Sequence, residues 1–217
     1  MKIVDLTLDI YDGMATPLCD WHPRTEIMIL GRIGLEGRMS RKITLGSHTG
    51  THVDGPIHVV QDGLSVDRLQ LETLVGKARL IDMSHKGALE GITKDELQKY
   101  DIREGERIVI RTDWSDKWDT RDYYSMRPYI EADAIEWLAK RISLLGLDIC
   151  APGDPRAFLE SGVPPADHLP LLQSGVILVE YLTNLRAITR ETFMLVALPL
   201  KIRGGDGAPA RVIAIED

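Results

Sequence analysis

Residues Gly46–His58 read GSHTGTHVDGPIH and place His48, His52, Asp54 and His58 around Gly50, Gly55 and Pro56. The chain has six histidines, and half of them fall in this stretch. A helix is opposed by Gly50, by the β-branched Thr49, Thr51 and Val53, and by Gly55-Pro56. In a strand, His48, Gly50, His52 and Asp54 share one face. A flat strand would nevertheless hold His48 and His52 roughly 13 Å apart at about 3.3 Å per residue. One metal ion needs nitrogens at about 2.0–2.1 Å, so the ligands must converge. Gly50 is the place to bend, because a residue without Cβ takes a bulge or a left-handed conformation freely. Gly55-Pro56 then turns the chain so that His58 enters from another side. The stretch reads as a kinked strand end carrying a metal site.

Around it, short apolar, β-branched runs recur, each bounded by Gly, Pro, Asp or charged clusters. They are KIVDLTLDI, EIMILGRI, MSRKITLGSH, KARLIDMS, ERIVIRTDW, LLGLDIC, GVILVEYL, FMLVALPLKI and ARVIAIED. Such runs read as strands. Two stretches read as helices. In TKDELQKY, Thr93 caps the first turn and Glu96 reaches back to it, a capping box. In YIEADAIEWLAKR, Ile130, Ala134, Ile135, Leu138 and Ala139 recur at helical spacing. With no repeat, low-complexity tract or linker, the 217 residues read as a single compact strand-rich α/β domain, 1–217.

The net charge of −7 and the lack of a Lys/Arg cluster argue against nucleic acid as a partner. No apolar run is long enough for a membrane span, and the chain does not open on a leader-like pattern. Cys19 and Cys150 make neither a disulfide framework nor a CxxC clip, so a cytoplasmic protein is expected. There is no GxSxG elbow, HExxH motif or GxxxxGK[ST] loop. The GGDG at Gly204–Gly207 reads as a hairpin turn rather than a ligand loop. Cys150, at the end of an apolar run, reads as a core residue. His22 and His85 sit in turn-like or strand-end contexts where exposure is expected.

His48, His52 and Asp54 leave one ion short of ligands, so others must come from elsewhere or from water. His168 and Glu180 are candidates. Glu180 is a carboxylate inside the apolar run GVILVEYL, a costly place unless it is paired or bound to metal.

The HTGTHVDGPIH element resembles the signature of the cyclase family of metal-dependent hydrolases, which includes bacterial kynurenine formamidase and isatin hydrolase. The resemblance extends to DLTLDIYDGM, RTDW, LGLDICAPGDP, HLPLLQSGVILVEYLTNL and LPLKIRGGDGAPARVIAI. It implies a swivelling β/β/α fold and a homo-oligomer, a dimer or tetramer. It also implies two divalent ions, Zn2+ or Mn2+, held by His48, His52, Asp54, His168 and Glu180, with Asp54 and Glu180 bridging. His58 is implied as the acid/base. The implied reaction is hydrolysis of an amide C–N bond in a small-molecule substrate. The first choice is an aryl formamide such as N-formylkynurenine, and the alternatives are a cyclic amide such as isatin or a lactone. Two ions acidify a shared water and polarise the carbonyl, and an imidazole with an ordinary pKa near ~6.5 can carry the proton to the leaving nitrogen.

One region departs from the family pattern. Formamidases of the family carry Trp-Pro-Gly-Asp after the opening strand, whereas this chain reads TPLCDWHPRTEI, with Cys19 at the aromatic position and Trp21 two residues later. Trp21 is the candidate substrate-binding aromatic, and Trp114, Trp118, Tyr123 and Tyr124 are further candidates for the pocket wall. A reading of a different class is a metal- or ligand-binding protein without turnover. His58 separates the two, because a purely structural site has no use for a spare proton carrier.

Overall fold

The computed structural model describes residues 1–17, 19, 21–157 and 167–217. Leu18 and Asp20 of the TPLCDWHP region, and Pro164, Pro165 and Ala166 ahead of His168, lie outside the described residues.

The described strands are β1 (Lys2–Asp5), β2 (Glu26–Gly31), β3 (Ser40–Thr44), β4 (His52–Asp54), β5 (Val75–Asp82) and β6 (Gly91–Ile92). They continue with β7 (Glu106–Arg111), β8 (Tyr129–Ile130), β9 (Ile142–Leu147), β10 (Ile177–Glu180), β11 (Thr192–Pro199) and β12 (Gly207–Glu216). Each apolar run of the sequence overlaps one of these strands, and β5, β9, β11 and β12 begin one to three residues ahead of theirs. The main sheet runs β1-β12-β11-β5-β7-β9-β10-β4, and β12 also pairs with β4, so the sheet closes on itself with β1 as a flanking strand. β5, β7, β9 and β10 are mutually parallel, and the remaining neighbours in this sheet are antiparallel.

Strand alternation sorts the core into two parts. One face gathers Val53, Ala78, Val109, Leu144, Val179, Leu195, Ala197, Val212 and Ala214. These side chains fill the inside of the closed sheet. Alanines suit that restricted space, and so does Gly146, whose added Cβ would lie 3.0 Å from Leu182 and 3.1 Å from Val109. The other face offers Ile108, Ile110, Leu145, Leu147 and Leu178 to Leu97, Ala134, Ile135, Leu138, Leu171 and Leu172 of the crossover helices. A parallel strand pair needs such a crossover, so helices coat the outer face. The strand-rich α/β expectation is met.

The helix Lys94–Gln98 begins with the expected capping box: Thr93 Oγ1 accepts from the Glu96 N–H, and Glu96 accepts from the Thr93 N–H. The helix Ala132–Ala139 buries Ala134, Ile135, Leu138 and Ala139, as its periodicity requires, but Ile130, expected on the same face, lies before the helix in β8. A third helix, His168–Gln173, was not legible from periodicity because it is short and contains Pro170. Asp167 caps it, and a proline in the first turn interrupts no intrahelical bond.

The strand at the histidine motif is shorter than expected. Only His52–Asp54 is extended, and residues 48–51 form a turn. Gly50 takes the left-handed bend with φ 58°, and Pro56–His58 is a single 3₁₀ turn.

Candidate metal centre and active site

The site lies on the outer face of the β4–β10 ladder, at the C-terminal end of parallel strand β10. Register pairs His52 with Glu180, Val53 with Val179 and Asp54 with Leu178. Because Val53 and Val179 point into the closed sheet, His52, Asp54 and Glu180 all point away from it. The turn at Gly50 brings His48 back over them, with the His48 and His52 rings 5.0 Å apart at nearly right angles. His168 enters from the first turn of its helix.

The result is a buried knot of donors. His48 Nδ1 is 2.8 Å from Asp54 Oδ1, and His52 Nε2 is 3.1 Å from the same oxygen. His52 Nε2 is 3.7 Å from Glu180 Oε2, His168 Nε2 is 3.2 Å from Glu180 Oε1, and His168 Nε2 is 3.8 Å from Asp54 Oδ2. Despite this crowding, His52 Nε2, Asp54 Oδ2 and Glu180 Oε1 are buried and make no hydrogen bond. A buried polar atom without a partner is destabilising, typically by about 1–3 kcal/mol. Three of them converging on one space is what a cation-binding site looks like, since lone pairs aimed at a common point suit an ion better than one another.

The outward-facing nitrogens are all engaged. His52 Nδ1 meets the Gly50 carbonyl at 2.8 Å, His168 Nδ1 meets Asp167 Oδ1 at 2.8 Å, and His48 Nε2 meets Asp206 Oδ2 at 2.7 Å. An acceptor on one ring nitrogen keeps the proton there and turns the other lone pair inward, the usual arrangement behind a metal-ligating histidine.

Charge inside the knot is strongly coupled. Burial disfavours a charged His48, but Asp54 and Asp206 outweigh it and push its pKa up to about 10. Burial likewise opposes charge on His168, yet Glu180 and Asp167 hold it well above the usual imidazole value. Asp54 is fully buried, and His52 and His48 nevertheless keep it ionised. For Glu180 burial wins over His168, and its pKa rises. Protons and imidazolium charges thus balance the carboxylates where a cation can take their place.

His58 stands beside the knot, on the rim of a cavity of about 420 Å³. Its ring centroid is 4.1 Å from that of His48 and 5.7 Å from that of His168, and Nδ1 is 3.6 Å from Asp206 Oδ2. Burial, aided by His48 and His168, holds its pKa below the ordinary value, so the ring is neutral at pH 7. Trp21 sits at the mouth of the cavity, 58% exposed, edge-on to His48 with ring centroids 6.3 Å apart. Cys19 also lines the cavity.

Several expectations need correction. Of the four further aromatics, only Tyr124 lines the cavity. Trp114 and Tyr123 are buried in the outer core, and Trp118 packs edge-on against Tyr123 and Tyr181. Cys150 packs on the core as expected but also faces the cavity. His22 is buried, not exposed, because its ring seats against Gly46 and reaches the His48 carbonyl at 3.2 Å. His85 is exposed as expected. The GGDG segment does form a turn between β11 and β12, yet Asp206 within it reaches into the site. Asp206 and Asp167 were both missed; the Asp167-His168 adjacency was the one available signal for the latter.

Fold and site together define an α/β protein with a buried imidazole–carboxylate cluster able to hold a metal ion beside a cavity. The family model Cyclase, described as "Putative cyclase", matches residues 4–153, and the chain belongs to the cyclase family. It is 34% identical over 173 residues to a kynurenine formamidase of Bacillus thuringiensis (strain Al Hakam), a match covering 79% of this chain and 78% of that protein. It superposes on isatin hydrolase A from Labrenzia aggregata bound to benzyl benzoate with a TM-score of 0.85 at 28% identity, over 100% of this chain and 94% of that one. A further solved structure, "Potential Metal-Dependent Hydrolase With Cyclase Activity", matches with a TM-score of 0.77 at 29% identity, over 98% of this chain and 96% of that one.

Proposed function

We propose that this chain is a metal-dependent hydrolase that cleaves the amide C–N bond of a small acyl compound, residues 1–217 acting as one catalytic domain. The observation that carries this reading is the convergence of His52 Nε2, Asp54 Oδ2 and Glu180 Oε1, buried and without hydrogen bonds, beside a cavity that His58 shares. His48, His52, Asp54, His168 and Glu180 would hold two divalent ions, Zn2+ or Mn2+, a donor set of imidazoles and carboxylates suited to either. Bound there, the ions supply Lewis-acid polarisation of the scissile carbonyl and acidify the attacking water.

The chain's own groups supply the rest. Asp54 and Glu180 project side by side from adjacent strands, which places a carboxylate between the His48–His52 pair and His168. His58 is neutral, reachable from the cavity and close to the donor knot without completing it, so it takes a proton from water and delivers it to the leaving nitrogen. Water oxygen joins the acyl carbon, the C–N bond breaks and the nitrogen leaves as an amine. Trp21 offers an aromatic edge at the mouth.

The preferred substrate is an aryl formamide, N-formylkynurenine or a close relative, in line with the formamidase relatives. A cyclic amide such as isatin is the second reading, favoured by the end-to-end superposition on isatin hydrolase A. The test is a panel of N-formylkynurenine, isatin and a lactone with zinc- or manganese-loaded protein. Release of formate from the first is expected. A metal-loaded protein that cleaves none of the three would favour a binding protein without turnover or an unrelated acyl substrate.

The assembly we infer is a homo-oligomer, a dimer or tetramer. The β2–β3 arm stands apart as its own two-stranded sheet and exposes Met28, Leu30, Ile33, Leu35, Met39 and Ile43, an apolar patch of the kind that marks an interface. We assign the protein to the cytoplasm, where the thiols of Cys19 and Cys150 stay reduced. Among the described residues, no helix is long and apolar enough to cross a membrane.

A further inference from the structure

We propose that Asp206 is the positioning carboxylate of this centre. It fixes the ring of His48 so that Nδ1 faces the ion site, and it anchors the His58 turn to the same point. The inference rests on the metal-site reading above and names a residue outside its ligand set.

The geometry begins with the two nitrogens of His48. Nε2 is 2.7 Å from Asp206 Oδ2, while Nδ1 is 2.8 Å from Asp54 Oδ1. An imidazole that binds a metal through one nitrogen donates the other N–H to an acceptor. The two sides of the ring are not equivalent. On the Nδ1 side, Asp54 is buried, His52 Nε2 lies 3.1 Å from its Oδ1 without a hydrogen bond, and Asp54 Oδ2 has none either. On the Nε2 side, Asp206 is half-exposed and already bonded to the ring. The ion therefore belongs at Nδ1, and Asp206 serves as the acceptor behind it. His48, His58 and Asp206 could in principle form a ligand cluster of their own, but none of the orphaned atoms lies among them.

The turn that carries Asp206 is built for this placement. Gly204 is left-handed, with φ 70°, and its N–H donates to Asp67 Oδ1 at 3.0 Å. The Gly205 carbonyl accepts from the Val66 N–H at 2.9 Å, and the Asp206 carbonyl accepts from the Gly55 N–H at 2.8 Å. The turn is thus stapled to the chain on both sides of His58. Gly207 lies directly under the His48 ring: a Cβ there would come within 2.7 Å of Cε1 and 3.1 Å of Nδ1. Asp206 holds the ring from one end while Gly207 leaves room for it to lie flat.

Because Asp206 is half-exposed, its effect is positional and tautomeric rather than a large electrostatic one. The test uses Asp206→Ala, Asp206→Asn and Asp206→Glu, with zinc affinity measured by chelator competition and stoichiometry by elemental analysis. Asp206→Ala should still bind as many ions as wild type at saturation but with affinity lowered roughly 10- to 100-fold, the usual effect of losing such a partner. Asn, which can accept a hydrogen bond but carries no charge, should fall between, and Glu should recover most of the affinity. In the zinc-loaded wild type, nitrogen-detected NMR should find the His48 proton on Nε2, and in Asp206→Ala that N–H should exchange much faster. Gly207→Ala should weaken zinc by displacing the ring with Asp206 intact. Unchanged affinity in Asp206→Ala would overturn the proposal, as would loss of one ion at saturation, which would make Asp206 a ligand. A wild-type protein that binds no zinc or manganese at all would instead defeat the metal-site reading, and the proposal with it.

Discussion

His52 and Glu180 are direct register partners across the antiparallel β4–β10 ladder, and His52 Nε2 lies 3.7 Å from Glu180 Oε2. Residues 128 positions apart in the chain therefore become neighbours through one step of strand pairing. Asp54 shares their face, and its Oδ2 lies 3.8 Å from His168 Nε2, so a single ladder sets most of the donor knot.

Removal of the Glu180 carboxylate should disable ion binding while leaving the fold in place. An ion that binds only the native state adds about 2.7 kcal/mol at 100 times its Kd, so zinc should raise the wild-type melting temperature. Glu180→Gln should keep a cooperative transition without zinc and gain far less stability when zinc is added. Calorimetry with and without zinc measures both, and an equal gain in mutant and wild type would make Glu180 an ordinary strand residue.

His58→Ala should separate binding from chemistry. Metal content should stay close to wild type, while turnover falls by roughly 10²–10⁴-fold, the usual contribution of a positioned acid/base. As a base, His58 must be unprotonated, so the wild-type rate should drop as pH falls through its pKa. Burial places that limb on the acid side of the ordinary imidazole value. The limb should be missing from the mutant's pH–rate profile. A stripped metal would instead identify His58 as a ligand.

Stability in acid should track Glu96. Burial opposes its charge, but Lys86 at 2.7 Å and the Thr93 cap outweigh this and lower its pKa from 4.5 to about 2. A carboxylate with a lowered folded-state pKa stabilises the protein above its unfolded value and loses that contribution as pH falls. The loss should therefore run from about pH 4.5 down to about pH 2. Glu96→Gln, which can still accept at the cap, should be less stable at neutral pH and show a shallower decline across that window in urea titrations.

The β2–β3 arm should hold copies together. Ile33 and Leu35 at its tip are 70% and 74% exposed, an arrangement that costs solubility in a lone chain. Light scattering should give a mass of two or four chains for wild type and of one chain for an Ile33→Lys, Leu35→Lys double variant. A monomeric wild type would remove the arm from any role in assembly.

Local sequence settled what local physics governs. The nine apolar runs became strands because β-branched side chains and flanking turn residues leave the backbone little else to do. Thr93 and Glu96 lie three residues apart, so their reciprocal cap was readable without a structure. The spacing of His48, His52 and Asp54 around Gly50 points to a cluster of donors, which the structure brings together, and the bend at Gly50 falls where the glycine predicts it. Glu180 stood out because a carboxylate in an apolar strand needs a partner. What the tertiary structure alone decided are the meetings of distant residues. Closure of the sheet through the β12–β4 pairing sets Gly207 opposite Asp54, and this carries Asp206 to His48 from 158 positions away. From sequence the GGDG segment was only a turn, since glycine signals backbone freedom and nothing about what lies across from it. The same holds for Trp114 and Tyr123, which look like Tyr124 in the sequence yet face the core. Their direction follows from how the loop packs on the outer face of the sheet, a long-range outcome that no local pattern encodes.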